Sequence, residues 1–396
     1  MHDGEGHYDI TERDLFVRDY QKEMASYLDG LKAGREDRLD RAIERIRESR
    51  YVCVFGAGMT SHRIVFLLRS LFALRIDFMC DNDAAKWGKC FYGDLVCLSP
   101  AELRKHRAEV AVIVASIFWE PIYAQLCEMD FDQIYVFGEY RLANRDFLHD
   151  RDNLPAIRKN VLHLMEILED DHSRGILNVL IRNWFDPDFS GAVLKAICTG
   201  DSHYPMGIID LTDQESFVDA GAYNGDTLLE FIDRTRGSFE EIHAFELDQG
   251  NFKALESTVN RLDGQTRDKI HLYPCGVWNE EKMIGYEAGY RKGEDSRISE
   301  AAGAVNVAKV VRLSDMLKDR KVTYLNMDIE GSEMEALSGA EELLVRQKPR
   351  LAISIYHKPR HLWEIPLYLK RLVPEYKIYI RHHAVLDCET ICYATI

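Results

Sequence analysis

The stretch Phe217-Val218-Asp219-Ala220-Gly221-Ala222-Tyr223-Asn224-Gly225-Asp226-Thr227 decides the fold. It reads as a buried strand, a glycine turn and a helix start. Phe217 and Val218 carry strand character. Gly221 and Gly225 let the backbone turn tightly and approach a ligand. Asp226 or Thr227 caps the following helix. The spacing is Gly-x-x-x-Gly with an acid before it, and not the dinucleotide pattern G-x-G-x-x-G. A second strand, Ile242-His243-Ala244-Phe245, runs into Glu246-Leu247. An acid at that strand end is placed to accept both hydroxyls of a ribose.

The 396 residues are 46% hydrophobic and 29% charged, the balance of a soluble globular chain with one to three domains. A formal net charge of -16 disfavours nucleic acid and anionic membranes as partners. No uncharged apolar run reaches transmembrane length. The polar, acidic start Met1-His2-Asp3-Gly4-Glu5-Gly6 does not read as a signal peptide. Nine scattered cysteines without a C-x-x-C pair suit a reducing, cytoplasmic setting. Cys275 is the candidate for a reactive thiol.

Four regions follow from the patterning. Residues 1–50 are a helical segment, with Leu15, Met24, Leu28 and Leu31, then Leu39, Ile43 and Ile46, near helical spacing. Residues 51–150 alternate strands and helices, which implies a small Rossmann-like domain. Residues 151–200 are a helical connector, broken at Asp186-Pro187-Asp188. Residues 201–396 are a larger α/β domain ending in two strands without a long helix between them, which suggests an antiparallel hairpin. In the first domain, Gly56-Ala57-Gly58-Met59-Thr60-Ser61 is an incomplete dinucleotide turn, and Asp81 follows the second strand. This part resembles small nucleotide-binding-like domains attached to sugar-modifying enzymes. Nucleotide or nucleotide-sugar binding and a purely structural role both fit it.

In a doubly wound sheet, the carboxyl ends of the strands line one crevice. Cys275-Gly276 stands at that rim, with Val277 and Trp278 behind it. The run Tyr324-Leu325-Asn326-Met327 stops at Asp328, then presents Glu330 and Glu333. Glu333 suits a helix cap or a substrate contact. The next strand ends at His357, and His382-His383 follow another. Asp328, His357 and one of His382 or His383 are expected to meet above the sheet. Such a trio can take a proton from a hydroxyl. It can equally hold a divalent cation through mixed oxygen and nitrogen ligands.

The C-terminal half resembles the FkbM family of methyltransferases. The matching pieces are Phe217 to Thr227, Ala244-Phe245-Glu246, Val311-Arg312-Leu313-Ser314-Asp315 and Met327-Asp328-Ile329-Glu330-Gly331-Ser332-Glu333, in the family's order. The resemblance implies a seven-stranded class I methyltransferase sheet of Rossmann-like α/β type and S-adenosylmethionine as cofactor. It implies that Asp219 and the turn through Gly221, Tyr223, Gly225, Asp226 and Thr227 face the methionine and sugar of that cofactor. Glu246 holds the ribose hydroxyls, and Leu247, Cys275, Gly276 and Asp328 are the other expected cofactor residues. The implied activity is O-methylation of a small hydroxylated acceptor, sugar-like or a natural product. Ser296, Arg297, Glu330 and His382 are the expected acceptor contacts. Asp328, His357 and His383 are the expected catalytic or metal-holding residues. The apolar stripes of the N-terminal half lead to an expectation of a homo-oligomer. A nucleotide-binding scaffold without catalysis and a nucleotide-sugar oxidoreductase or epimerase centred on Gly56 and Gly58 are the alternatives.

Overall fold

The computed structural model describes residues 19–32, 38–116, 118–138, 142–186, 192–200, 204–287, 297–298 and 306–396. The chain divides into two units. Unit 1 takes residues up to Glu166, with Asp170–Cys198 and Ala384–Cys388. Unit 2 takes Ile167–Glu169, Thr199–His383 and Glu389–Ile396. Among the described residues, no helix is long and apolar enough to cross a membrane.

Unit 1 is built on a six-stranded sheet. Its strands are β1 (Tyr51–Phe55), β2 (Phe78–Cys80), β3 (Cys90–Phe91), β4 (Leu95–Leu98), β5 (Val110–Val114) and β6 (Ile134–Val136). Their order is β3-β4-β2-β1-β5-β6. All pairs are parallel except β3–β4. Val52 and Val54 enter one buried cluster, Cys53 and Phe55 another. This is the period-two alternation of a strand covered on both faces. The helices Tyr20–Lys32 and Arg38–Glu48 bury Met24 and Leu28, and Leu39, Ile43 and Ile46. Those side chains are covered within the chain, and Leu15 lies outside the described residues. The connector helices Leu154–Ile167 and Asp171–Phe185 fall almost wholly in unit 1. Asp81 does not offer a free carboxylate to a ribose. Its Oδ2 accepts from the Ala57 amide at 2.7 Å and from Lys86 Nζ at 2.9 Å. Its Oδ1 accepts from the Asp83 amide at 2.8 Å, so the acid braces its own turn.

Unit 2 carries the seven-stranded sheet expected from the sequence. Its strands are β7 (Ser216–Ala220), β8 (Glu241–Phe245), β9 (Ile270–Tyr273), β14 (Tyr324–Met327), β15 (Arg350–Ser354), β16 (Lys377–His382) and β17 (Thr390–Thr395). The order is β16-β17-β15-β14-β7-β8-β9. Only the pairs made by β17 are antiparallel, which is the closing hairpin. Phe217 of β7 stacks on Phe231 at 4.5 Å and on Tyr324 at 5.2 Å, forming an aromatic core. A four-stranded sheet not read from the sequence joins β10 (Gly276–Val277), β11 (Lys282–Glu287), β12 (Arg297–Ile298) and β13 (Asn306–Val311), ordered β10-β13-β11-β12. Two of its strands, β10 and β12, are only two residues long.

Strand order reverses direction at the β7–β14 pair, which opens a crevice at the carboxyl ends. There the two rim turns nearly touch. Gly221 has φ +90°, and a Cβ on it would lie 1.9 Å from the carbonyl oxygen of Asp328. The glycine is therefore required by backbone meeting backbone, and not by the volume of a ligand. Gly221→Ala combines left-handed strain of about 1–3 kcal/mol with overpacking of similar size. We expect urea unfolding to show a loss of about 3 kcal/mol or more. Gly264→Ala, where no atom lies near the added Cβ, should stay within about 0.5 kcal/mol of the parent. Equal stability of the two variants would contradict this close approach.

Candidate functional site

The crevice holds a cleft at the carboxyl ends of the strands. Of the residues named from the sequence, Gly221, Tyr223, Glu246, Leu247, Gly276, Asp328 and Glu330 line it. Asn251, Ile298 and Ser332 line it as well and were not singled out. Asn251 sits three residues after the helix cap Asp248, a position that only the fold turns toward the cleft.

Five expected cofactor contacts lie elsewhere. Asp219 is buried inside the sheet, where its Oδ1 accepts from Asn326 Nδ2 at 3.0 Å. Gly225 packs against Leu255 and Thr258. Asp226 and Thr227 begin the helix Asp226–Arg234, with the Thr227 amide donating to Asp226 Oδ1 at 2.8 Å. These residues build the turn rather than the cleft wall. Cys275 is buried, and burial pushes its thiol up to about 11, so it is no reactive thiol. Trp278 packs with Ile284 and Val310 and borders a second cavity instead of the first.

Glu246 is placed as an acceptor. Its Oε2 accepts from the Tyr223 amide at 2.9 Å and its Oε1 from the Asp248 amide at 2.7 Å. These bonds aim the carboxylate and leave lone pairs toward the cleft. Burial outweighs the bonds and raises its carboxyl to about 7.

The opposite wall is acidic. His357 Nε2 stands 3.3 Å from Asp328 Oδ1 and 3.5 Å from Glu330 Oε2. Its Nδ1 is 2.9 Å from Glu333 Oε1. Glu333 is fully buried, with His361 Nδ1 3.0 Å from its Oε2. Glu333 Oε1 also accepts from the amides of Ile329 at 3.2 Å and Gly331 at 3.1 Å. It is neither a substrate contact nor a simple cap, but the anchor of the loop that carries Glu330. Burial would lower the His357 pKa, but Glu333, then Asp328 and Glu330, outweigh it and raise it to about 10. In that charged form Nε2 carries a proton, which a bound metal ion would displace. Burial first, and then the Glu389, Glu330 and Glu333 carboxylates, push the Asp328 carboxyl above its ordinary range, against the pull of His357. The Asp328 side chain nonetheless keeps 30% of its surface exposed at the cleft.

His382 and His383 do not join this group. His382 is buried with Nδ1 2.8 Å from Thr390 Oγ1. His383 has Nδ1 3.1 Å from Thr199 Oγ1 and Nε2 2.8 Å from the Tyr393 hydroxyl. Glu330 takes the place expected for them beside Asp328 and His357. Ser296 lies outside the described residues, and for Arg297 only the backbone, in β12, is described. The second cavity adjoins the first, since Glu330, Ser332 and Ile298 line both. Its other lining includes Lys282, His357 and Lys358, so the surface is polar.

Residues 219–382 match the sequence model of the methyltransferase FkbM domain. Among solved structures, the methyltransferase FkbM from Methylobacillus flagellatus KT is similar in fold, with a TM-score of 0.76 at 20% identity. That likeness covers 95% of this chain and 99% of the other. A fibrillarin from Aeropyrum pernix, in complex with natively bound S-adenosyl-L-methionine, gives a TM-score of 0.29 at 12% identity over 48% of this chain and 70% of its own. No curated protein matches the chain. The matched residues lie in unit 2, whose sequence is thus similar to the methyltransferase FkbM domain.

The buried Glu333 contacts can be measured through stability. Its folded carboxyl lies well below the ordinary 4.5: burial would raise it, but the charge and hydrogen bond of His357, then His361, prevail. Its contribution is therefore present in full above that ordinary value and is lost as pH falls toward the depressed one. Glu333→Ala at pH 7 should lose about 3–5 kcal/mol, the cost of breaking a buried ion pair. Chemical denaturation should show the gap to the parent closing only in strong acid. A loss below about 1 kcal/mol, the scale of exposed pairs, would refute the anchor role.

Proposed function

We propose that this chain transfers the methyl group of S-adenosylmethionine to a hydroxyl oxygen of a small, sugar-like acceptor. The observation that carries the reading is the pairing of cavities. The glycine-turn cleft, with Glu246 on one wall and Asp328 and Glu330 on the other, adjoins a polar cavity through Glu330. The cofactor occupies the first, with its ribose diol on the Glu246 carboxylate. The acceptor occupies the second, so its oxygen meets the methyl group at the junction. An oxygen lone pair forms the new C–O bond as the methyl C–S bond breaks, and sulfur keeps that electron pair. The hydroxyl proton passes to the acidic rim. Alignment of the two reactants supplies most of the rate in such a site.

Isotope-labelled S-adenosylmethionine offered with free sugars, glycosides and polyhydroxylated natural products tests this. The expected product carries label in an alkali-stable ether. Label only on nitrogen or carbon, or in an alkali-labile ester, would overturn the oxygen assignment.

The cofactor placement gives a pH signature. With a carboxyl near 7, Glu246 is ionised above that pH and protonated below it. The charged form accepts the diol better. Calorimetric affinity for S-adenosylmethionine should be level above pH 7 and weaken by up to about tenfold per pH unit below it. Glu246→Ala should weaken binding at pH 8 by about 1.5–3 kcal/mol and flatten the profile. A level profile in the parent protein would place the ribose elsewhere. By linkage, a raised carboxyl favours the folded state below its ordinary 4.5, and that benefit is lost as pH rises through 7.

A further inference from the structure

We propose that unit 2 binds a divalent cation through Asp328 Oδ1, Glu330 Oε2 and His357 Nε2, and that this cation receives the acceptor oxygen. One ligand atom from each of the three residues lies within 4.8 Å of the other two. The His357 side chain is only 3% exposed, and its Nε2 makes no hydrogen bond. It points between two carboxylate oxygens at 3.3 and 3.5 Å. A charge-assisted N–H···O bond closes to about 2.7–2.9 Å, so these contacts are too long for one. They come nearer the spacing of two donors sharing an ion. Donors about 2.1 Å from a metal, at angles between octahedral and tetrahedral, stand about 3.0–3.4 Å apart.

The surroundings fit the same reading. Glu333 Oε1 engages His357 Nδ1 at 2.9 Å and so orients Nε2 as a ligand, the carboxylate–histidine–metal arrangement. The same oxygen fastens the Ile329 and Gly331 amides. The intervening Glu330 is thereby held at φ +56°, a left-handed conformation that a non-glycine residue adopts only when its surroundings enforce it. One buried carboxylate thus sets two of the three ligands in place. One nitrogen and two carboxylate oxygens suit Mg²⁺, Mn²⁺ or Zn²⁺. Three protein ligands leave coordination positions open. Asp328 and Glu330 line the cofactor cleft, while Glu330 and His357 line the second cavity, so the ion stands at their junction. A hydroxyl bound there becomes more acidic, and its proton passes through the acidic rim to water as the oxygen takes the methyl group. Binding of the ion stands on the ligand geometry alone, and only its role toward the acceptor rests on the methyl-transfer reading.

The test uses the full chain after chelation and dialysis, with Mn²⁺ alone as probe. Calorimetry and the electron paramagnetic resonance of free Mn²⁺ count sites and affinity. One site per chain is expected, weakened at least about tenfold in Glu330→Gln, whose exchange sits on a loop and spares the core. Glu333→Gln is a positioning variant: it should weaken Mn²⁺ while leaving S-adenosylmethionine affinity within about twofold. Circular dichroism checks that each variant is folded. Failure of the parent protein to bind Mn²⁺, Mg²⁺ or Zn²⁺ at millimolar concentration overturns the site, as does unchanged Mn²⁺ affinity in Glu330→Gln. Chelated protein that binds S-adenosylmethionine but transfers no methyl until Mn²⁺ returns supports the catalytic role. Full transfer after chelation overturns that role. A protein that binds Mn²⁺ yet methylates no hydroxylated acceptor keeps the site and refutes the proposed reaction instead.

Discussion

The rim of unit 2 depends on one buried carboxylate. Glu333 has no exposed surface, yet it meets His357, His361 and the amides of Ile329 and Gly331. A buried charge survives only when it is paired and hydrogen-bonded. Here that requirement organises the site: satisfying Glu333 fixes the ring of one histidine and the backbone of the loop that presents Glu330. The functional acids at the cleft can then stay close together, although like charges repel, because His357 is inserted among them.

The same logic separates residues that build the site from residues that face it. Asp219 and Asp226 precede and follow the glycine turn, and both hold protein to protein. Glu246, also buried, is different. Two amides aim it, but burial still raises its carboxyl, so the fold maintains an acceptor that is incompletely satisfied. Buried groups with displaced pKa values gather at functional sites for this reason.

Much of this arrangement was legible in the sequence. The strand–turn–helix at Phe217, the acid ending β8 and the abrupt stop at Asp328 each rest on local patterning. The terminal hairpin followed from two strands with no long helix between them, and the seven-stranded sheet from the family resemblance. What local reading lacked was direction. Adjacent residues in a strand face opposite sides, so His382 and His383 cannot be assigned to a rim by position alone. Asp219 lies within β7 and its carboxylate stays in the sheet. Glu333 and His361 are separated by the whole of β15, and only the assembled fold brings them together. The apolar stripes of the N-terminal helices announced burial correctly, but not what buries them.

The placement of β7 beside β14 has a consequence for how the chain reaches its native state. Asp219 and Asn326 are bonded across 107 residues, with the small sheet formed by the chain between them. Closing such a loop costs entropy before any contact repays it, which makes the central strand pair a late event in folding. The cleft is made of the turns that end these two strands, so partly folded chains have no cleft. A ligand spanning Glu246 and Asp328 recognises only completed molecules, and by mass action it withdraws them from the unfolding equilibrium. A ligand bound at that cleft would thereby lengthen the life of each copy of the protein.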